Sequence, residues 1–195
     1  MPADAAALYC KSASPDAKRV RIFLHEKEIS VELGDAPGVN APAKAARHGQ
    51  TPPVLFLGDG TVIDDVPAIW RYLEEAYPER PLLGATPKDK ALVAMWDRWV
   101  ETEGLNPVKA TAARRDQPTA LDARNRQRLT HFLADLDSRL SAAVYMAGDA
   151  FSAADITALI TIDVATRTLG VPLPRELGAV RRWFYGLSTR ASAWT

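Results

Sequence analysis

A single cysteine, Cys10, stands in a chain of 195 residues, which excludes an intramolecular disulfide framework and a cysteine-rich zinc site. The histidines His25, His48 and His131 share no metal-ligand spacing and have no cysteine beside them, so no metal is expected. Net charge is also missing: 24 Lys+Arg balance 24 Asp+Glu, and bulk charge leaves no footprint for a polyanionic partner. The longest apolar stretches, such as Ala91–Trp96 and Ala158–Ile162, fall far short of the roughly 20 residues that cross a bilayer. Met1-Pro-Ala-Asp-Ala5 has neither the basic start nor the apolar run of a secretion signal. There is no repeat and no glycine-rich phosphate loop. What is left is a soluble composition, 47% hydrophobic and 25% charged, at a length that suits one large domain or two small ones. The expected setting is a reducing compartment, the cytoplasm, with neither nucleic acid nor membrane as partner.

Periodicity divides the chain. Ala5–Cys10 is an apolar run suited to a buried strand. Ser14-Pro15 opens a helix that runs to about Lys27, because serine is a preferred cap and proline fits the first turn, where its missing N–H is not needed. Ala17, Val20, Phe23 and Leu24 form its apolar face. Ile29–Leu33 reads as a second strand and Pro42–Arg47 as a short helix. Pro53–Leu57 and Thr61–Ile63 flank Gly58-Asp59-Gly60, a strong hairpin signal. Asp64 or Asp65 then caps a helix carrying Ile69, Tyr72 and Leu73. The order is βαβ followed by αββα.

Pro78-Glu-Arg-Pro81-Leu-Leu-Gly84 breaks the periodicity as a linker does. Beyond it, Lys88–Val108, Ala120–Val144, Ala153–Leu169 and Glu176–Thr189 carry helical spacing. Ser152-Ala-Ala-Asp155 between Phe151 and Ile156 is a capping box with a hydrophobic staple. The expected organisation is an α/β domain over residues 1–80, a linker over 81–86 and an all-helical domain over 87–195.

Three stretches carry a family resemblance. Ser14-Pro-Asp-Ala-Lys-Arg-Val-Arg-Ile22 resembles the first-helix start of cytosolic glutathione transferases. Pro53-Val-Leu-Phe-Leu-Gly-Asp-Gly-Thr-Val-Ile63, with Ala68-Ile-Trp-Arg-Tyr72 and Pro81-Leu-Leu-Gly84, is similar to the family's central signature. Ala147-Gly-Asp-Ala-Phe-Ser-Ala-Ala-Asp-Ile156 resembles its C-terminal capping motif. The resemblance implies a thioredoxin-like N-terminal domain, an all-helical C-terminal domain and a homodimer. It also implies glutathione as co-substrate, its thiol activated to attack a small electrophile, as in detoxification.

Carried over residue by residue, the resemblance puts Ser14 where serine-type members keep their catalytic hydroxyl. That hydroxyl and the positive end of the helix would favour the glutathione thiolate. Ser14 also reads as a plain helix cap, Ser12 is a weaker substitute, and Cys10 reads as a buried apolar thiol. Pro53 falls where the family keeps a cis proline, and the residue before it normally clamps the cysteinyl backbone of glutathione. Here that residue is Pro52, which lacks an N–H. The alternative makes Pro52 the cis residue and restores a donor at Thr51, at the cost of a one-residue shift relative to Gly60.

Where the family has Glu-Ser for the γ-glutamyl end, this chain has Asp65-Val66. Asp65 keeps a carboxylate for the ligand's ammonium, and it reads equally well as a helix cap. Val66 supplies no hydrogen bond. His48, Gln50 and Thr51 occupy the loop where members hold the glycine carboxylate. The electrophile pocket would involve the stretch holding Trp96, Arg98 and Trp99, residues that also read as core and solvated face. Two weakened contacts would cost roughly 1–3 kcal/mol, about ten- to a hundredfold in affinity. Two functions therefore stand: a glutathione transferase-like enzyme, or a non-catalytic or altered-ligand protein of the same fold, with a binding or regulatory role and weak or no glutathione binding.

Overall fold

The computed structural model describes residues 5–10, 14–30, 33–34, 53–113 and 123–194. The chain divides into two compact units, Met1–Pro81 and Leu82–Trp194. In the first, β1 (Ala5–Tyr9), α1 (Pro15–Glu26) and β2 (Leu33–Gly34) precede β3 (Val54–Leu57), β4 (Val62–Ile63) and α2 (Val66–Ala76). The sheet order is β2-β1-β3-β4, with β2 parallel to β1 and the other pairs antiparallel. The β3–β4 hairpin forms on its Gly-Asp-Gly turn: Gly60 sits at φ +85, and Asp59 accepts from the Thr61 amide at 2.8 Å. Only glycine enters that backbone region without strain.

The second strand is not where the sequence suggests. Ile29 and Ser30 lie outside β2, which begins at Leu33. The reason is the end of α1. Lys27 caps it, Glu28 turns left-handed at φ 57, and the amides of Glu28 and Ile29 bond back to the carbonyls of His25 and Leu24. This is a Schellman closure, and it uses the Ile29 N–H that a strand would need. The helix expected over Pro42–Arg47 lies outside the described residues.

Helix α1 buries Ala17, Val20, Phe23 and Leu24 as its spacing predicts, and also Arg19 and Ile22. On α2 the inner face is Ile69, Trp70 and Leu73, while Tyr72 is only half-buried. Phe23 stacks on Trp70 with centroids 5.4 Å apart, joining the two helices. Lys27, buried at the end of α1, donates to Glu74 on α2 at 2.8 Å and to the carbonyls of Glu79 and Arg80. Removing either partner of such a buried pair costs about 3–5 kcal/mol, because the other charge is left uncompensated.

The second unit is helical: α3 (Pro87–Val100), α4 (Asn106–Ala112), α5 (Ala123–Ala142), α6 (Ala153–Asp163) and α7 (Gly178–Ser188), with a final 3₁₀ turn at Ala191–Trp194. The long helix expected over Lys88–Val108 is interrupted by a π turn at Glu101–Leu105. Pro107 explains it, since an interior proline has no N–H to give the preceding turn. The π turn resets the register so that Pro107 falls in the first turn of α4. A second π turn, Val164–Thr168, extends α6 toward the expected end at Leu169. The opening of α3 is capped reciprocally by Thr86 and Asp89. Before it, Leu82 is buried, and its carbonyl accepts from the Ala153 amide at 3.0 Å.

All eleven residues of α6 are buried, Asp155 completely. The Asp155 carboxylate accepts from the Ser152 amide and hydroxyl, the Met146 amide and the Trp183 indole, at 2.9 to 3.2 Å. The expected box therefore forms, and it reaches further than its four-residue motif, to α7 and the turn before α6. Burial pushes the Asp155 carboxyl up to about 6 while those four donors pull it down, so it is ionised at neutral pH.

Replacing Asp155 with Ala strands four buried donors and should cost roughly 3–5 kcal/mol, lowering Tm by on the order of 10 °C. The raised carboxyl gives a pH signature. Its stabilising contribution is full below the unfolded value near 4 and is lost as pH rises through about 6. The stability advantage of the unmutated protein over Asp155→Asn should therefore shrink between pH 4 and pH 7 in denaturant titrations.

Candidate functional site

The sheet register brings three separate segments to one edge. Tyr9 at the end of β1 pairs with Val54 at the start of β3, and Leu55 pairs with Ile63 at the end of β4. The chain therefore leaves β1 toward Ser14, enters β3 from Pro53 and leaves β4 toward Asp65, all at the same end of the sheet. Both α1 and α2 begin at that end, so the positive ends of two helix dipoles flank it. This is the general geometry of an anion-binding edge.

Ser14 occupies the cap position of α1, with extended backbone at φ −74 and ψ 134. Its carbonyl accepts from the Lys18 amide at 2.9 Å, but its side chain makes no capping bond to the helix. The plain-cap reading is thus not realised by the hydroxyl. Pro15 removes the first amide of the helix, and its fixed φ suits that first turn. Ser12 lies outside the described residues.

At the second helix start the opposite holds. The Asp65 carboxylate accepts from the Ala68 amide at 3.0 Å and caps α2, so the cap reading is realised there. Asp65 remains exposed, whereas Val66 is buried at the first position of α2. Pro53 is buried immediately before β3. Pro52, Thr51, Gln50 and His48 lie outside the described residues, and so does the choice between a cis Pro52 and a cis Pro53.

One contributor was not singled out from the sequence. Arg19 is 1% exposed, places its guanidinium 4.8 Å from the Trp70 ring centroid and meets Asp16 at 3.4 Å. It thereby ties the acidic first turn of α1 to the inner face of α2. The signal was present, since Asp16, Arg19, Val20 and Phe23 share one helical face, but a charged residue on an apolar face is ordinarily read as its solvated border.

Trp96 and Trp99 sit edge to face at 5.6 Å. Trp99 leans on Phe132 at 5.1 Å, and Arg139 covers Trp96. These rings are part of the second unit's packing, and Arg98 is exposed beside Glu101. Arg128 pairs with Glu103 at 3.3 Å, while Arg114 and Arg115 lie outside the described residues. Among the described residues, no group of three His, Cys, Asp or Glu is placed to hold a metal ion, and no helix is long and apolar enough to cross a membrane.

Cys10 is buried and donates its thiol to the Ala17 carbonyl at 3.3 Å. Burial pushes the thiol up to about 11 against the opposing pull of Arg21, so it is protonated at physiological pH. Iodoacetamide at pH 8 should leave Cys10 unmodified in the folded protein and label it fully in denaturant, read by intact mass. Rapid labelling of the folded protein would contradict this burial.

Similarity to known proteins covers both units. Residues 8–81 match the family described as "Glutathione S-transferase, N-terminal domain", and residues 89–191 match "Glutathione S-transferase, C-terminal domain". Glutathione S-transferase 2 of Saccharomyces cerevisiae is 29% identical, across 95% of this chain and 86% of that protein. The crystal structure of a class Gtt2 glutathione S-transferase of Vibrio parahaemolyticus superposes with a TM-score of 0.84 at 33% identity, covering 97% of this chain and 96% of that one. The crystal structure of Gtt2 from Saccharomyces cerevisiae superposes with a TM-score of 0.81 at 30% identity, covering 96% and 98%. With both halves matched in order and a thioredoxin-like unit preceding a helical one, this chain belongs to the cytosolic glutathione S-transferase family.

Proposed function

We propose that this chain binds glutathione at the edge where α1 and α2 begin and activates its thiol for attack on a small electrophile. The observation that carries the reading is the Ser14 side chain, which sits at the start of α1 without capping it. A hydroxyl in that place donates to a sulfur anion, and the positive end of the helix dipole adds to the stabilisation of the thiolate. The activated sulfur forms a bond to the electrophilic carbon, and the leaving group departs with its electron pair. Serine cannot form a mixed disulfide, which favours conjugation or isomerisation over disulfide exchange. Pro52 and Pro53 would position the cysteinyl backbone, Asp65 would meet the ammonium, and Gln50 and Thr51 would approach the glycine carboxylate. A cytoplasmic homodimer is part of the same reading, by family likeness.

A second reading draws on the α2 start. Asp65 already caps its helix and Val66 is turned into the core, so both γ-glutamyl positions have structural work of their own. A binding or regulatory protein with weakened glutathione affinity would have this form.

Calorimetric titration with reduced glutathione separates the two. The enzyme reading expects a dissociation constant at or below the millimolar range, and no heat at ten times that concentration would favour the second. Ser14→Ala should lower kcat/KM roughly ten- to a hundredfold, the worth of a hydrogen bond to a charged atom, with little change in glutathione affinity. Pro52→Val combined with Val66→Ser should tighten glutathione binding by up to about a hundredfold, and no gain would mean the departures are not what weakens it.

A further inference from the structure

A cleft of 730 Å³ opens on the second unit, walled by the π turn after α6, the loop that follows it and one side of α7. Its volume falls within the roughly 300–1,000 Å³ typical of small-molecule sites. The lining contains three guanidiniums, Arg167, Arg175 and Arg181, and no carboxylate. The rest is mostly apolar, with prolines on one wall and Phe184 and Tyr185 on another.

The walls are fixed before any ligand arrives. The wide turn Val164–Thr168 ends at Gly170, whose φ of +65 lets the Val171 amide bond back to the Ala165 carbonyl at 2.9 Å. Pro172 and Pro174 then stiffen the loop, and Arg181 donates from Nη1 to the Leu173 carbonyl at 3.1 Å, pinning the loop to α7. A preformed wall avoids the ordering cost that weakens binding to mobile loops. The second π turn therefore borders a cleft rather than accommodating a proline as the first does. Such turns are frequent at functional sites.

The cations are placed for an anion. Arg167 is 57% exposed on its side chain, with Nε held 2.9 Å from Asp163. Arg175 is exposed and makes no ion pair among the described residues. Arg181 lies 5.3 Å from the ring centroid of Tyr185, which is 53% exposed. A guanidinium presents a planar fork that fits a carboxylate with two parallel hydrogen bonds. A ring attached to that carboxylate would lie along the prolines and Tyr185, burying apolar surface that the protein leaves in water.

We propose that this cleft, lined by Arg167, Arg175, Arg181 and Tyr185, is a second ligand site that binds a small aromatic carboxylate. It is built from the second unit alone and is independent of the glutathione reading.

The test is titration of the full chain with 2-naphthoate, followed by calorimetry, with 2-naphthylmethanol and inorganic phosphate as the neutral and the ring-less controls. Saturable binding of naphthoate is expected, at least tenfold tighter than either control and weakened by added salt. Arg175→Glu should lower the affinity at least tenfold. Tyr185→Ala should lower it several-fold for naphthoate while leaving phosphate unchanged. Circular dichroism and Tm establish that both variants fold, which the exposure of both side chains favours. Saturating glutathione should not displace naphthoate. The proposal is overturned by any of four results: no binding up to 10 mM, equal binding of the neutral alcohol, unchanged affinity in folded Arg175→Glu, or displacement by glutathione.

Discussion

Strand β3 pairs antiparallel with β1 on one side and β4 on the other, and its register decides where three distant stretches of sequence meet. With Tyr9 opposite Val54 and Leu55 opposite Ile63, the exits toward Ser14 and Asp65 and the entry at Pro53 share one edge. Because side chains alternate along a strand, a one-residue slip would exchange the residues packed on the two faces of β3. The buried Leu55 and its neighbours Val54 and Phe56 oppose such a slip. The candidate site follows from a packing preference before any of its own residues is considered.

The same edge is held from behind by polar contacts that have little contact with solvent. Lys27 ties the far end of α1 to Glu74 and to the carbonyls at Glu79 and Arg80, and Arg19 ties its near end to the Trp70 face of α2. Both cations are buried, so they are useful only while paired, and both restrict how α1 lies against α2. A helix whose N-terminus is to stabilise an anion gains from this fixity, since an electrostatic effect of this kind falls off within the first turn. In the second unit Asp155 has the comparable role, gathering the start of α6, the preceding turn and α7 on one carboxylate.

Much of this was legible in the residues, and the exceptions have physical causes. The hairpin, the α1 start and the Ser152–Asp155 box were readable because each is a local motif with a fixed chemical reason. The second strand was misplaced because the Schellman closure at Glu28 and Ile29 depends on a left-handed non-glycine residue, which composition does not announce. The interruption of the long helix at Glu101–Leu105 was missed although Pro107 signals it, because apolar spacing continued through the break. At the site, the sequence left Ser14 and Asp65 each open between a cap and a ligand contact. The structure separates them: Asp65 caps its helix and the Ser14 side chain does not cap its own. The cleft beside α7 had no sequence signature, since its arginines come from a turn, a loop and a helix that only the fold brings together.

The most direct test of the central claim is the ionisation of bound glutathione, followed by the ultraviolet absorbance of the thiolate as pH is raised with the protein saturated. If Ser14 and the α1 start activate the thiol, the bound sulfur will titrate at least about one unit below free glutathione, and Ser14→Ala will return it toward the free value. A bound thiol that titrates as it does in solution, or a shift that survives Ser14→Ala in full, would contradict the account.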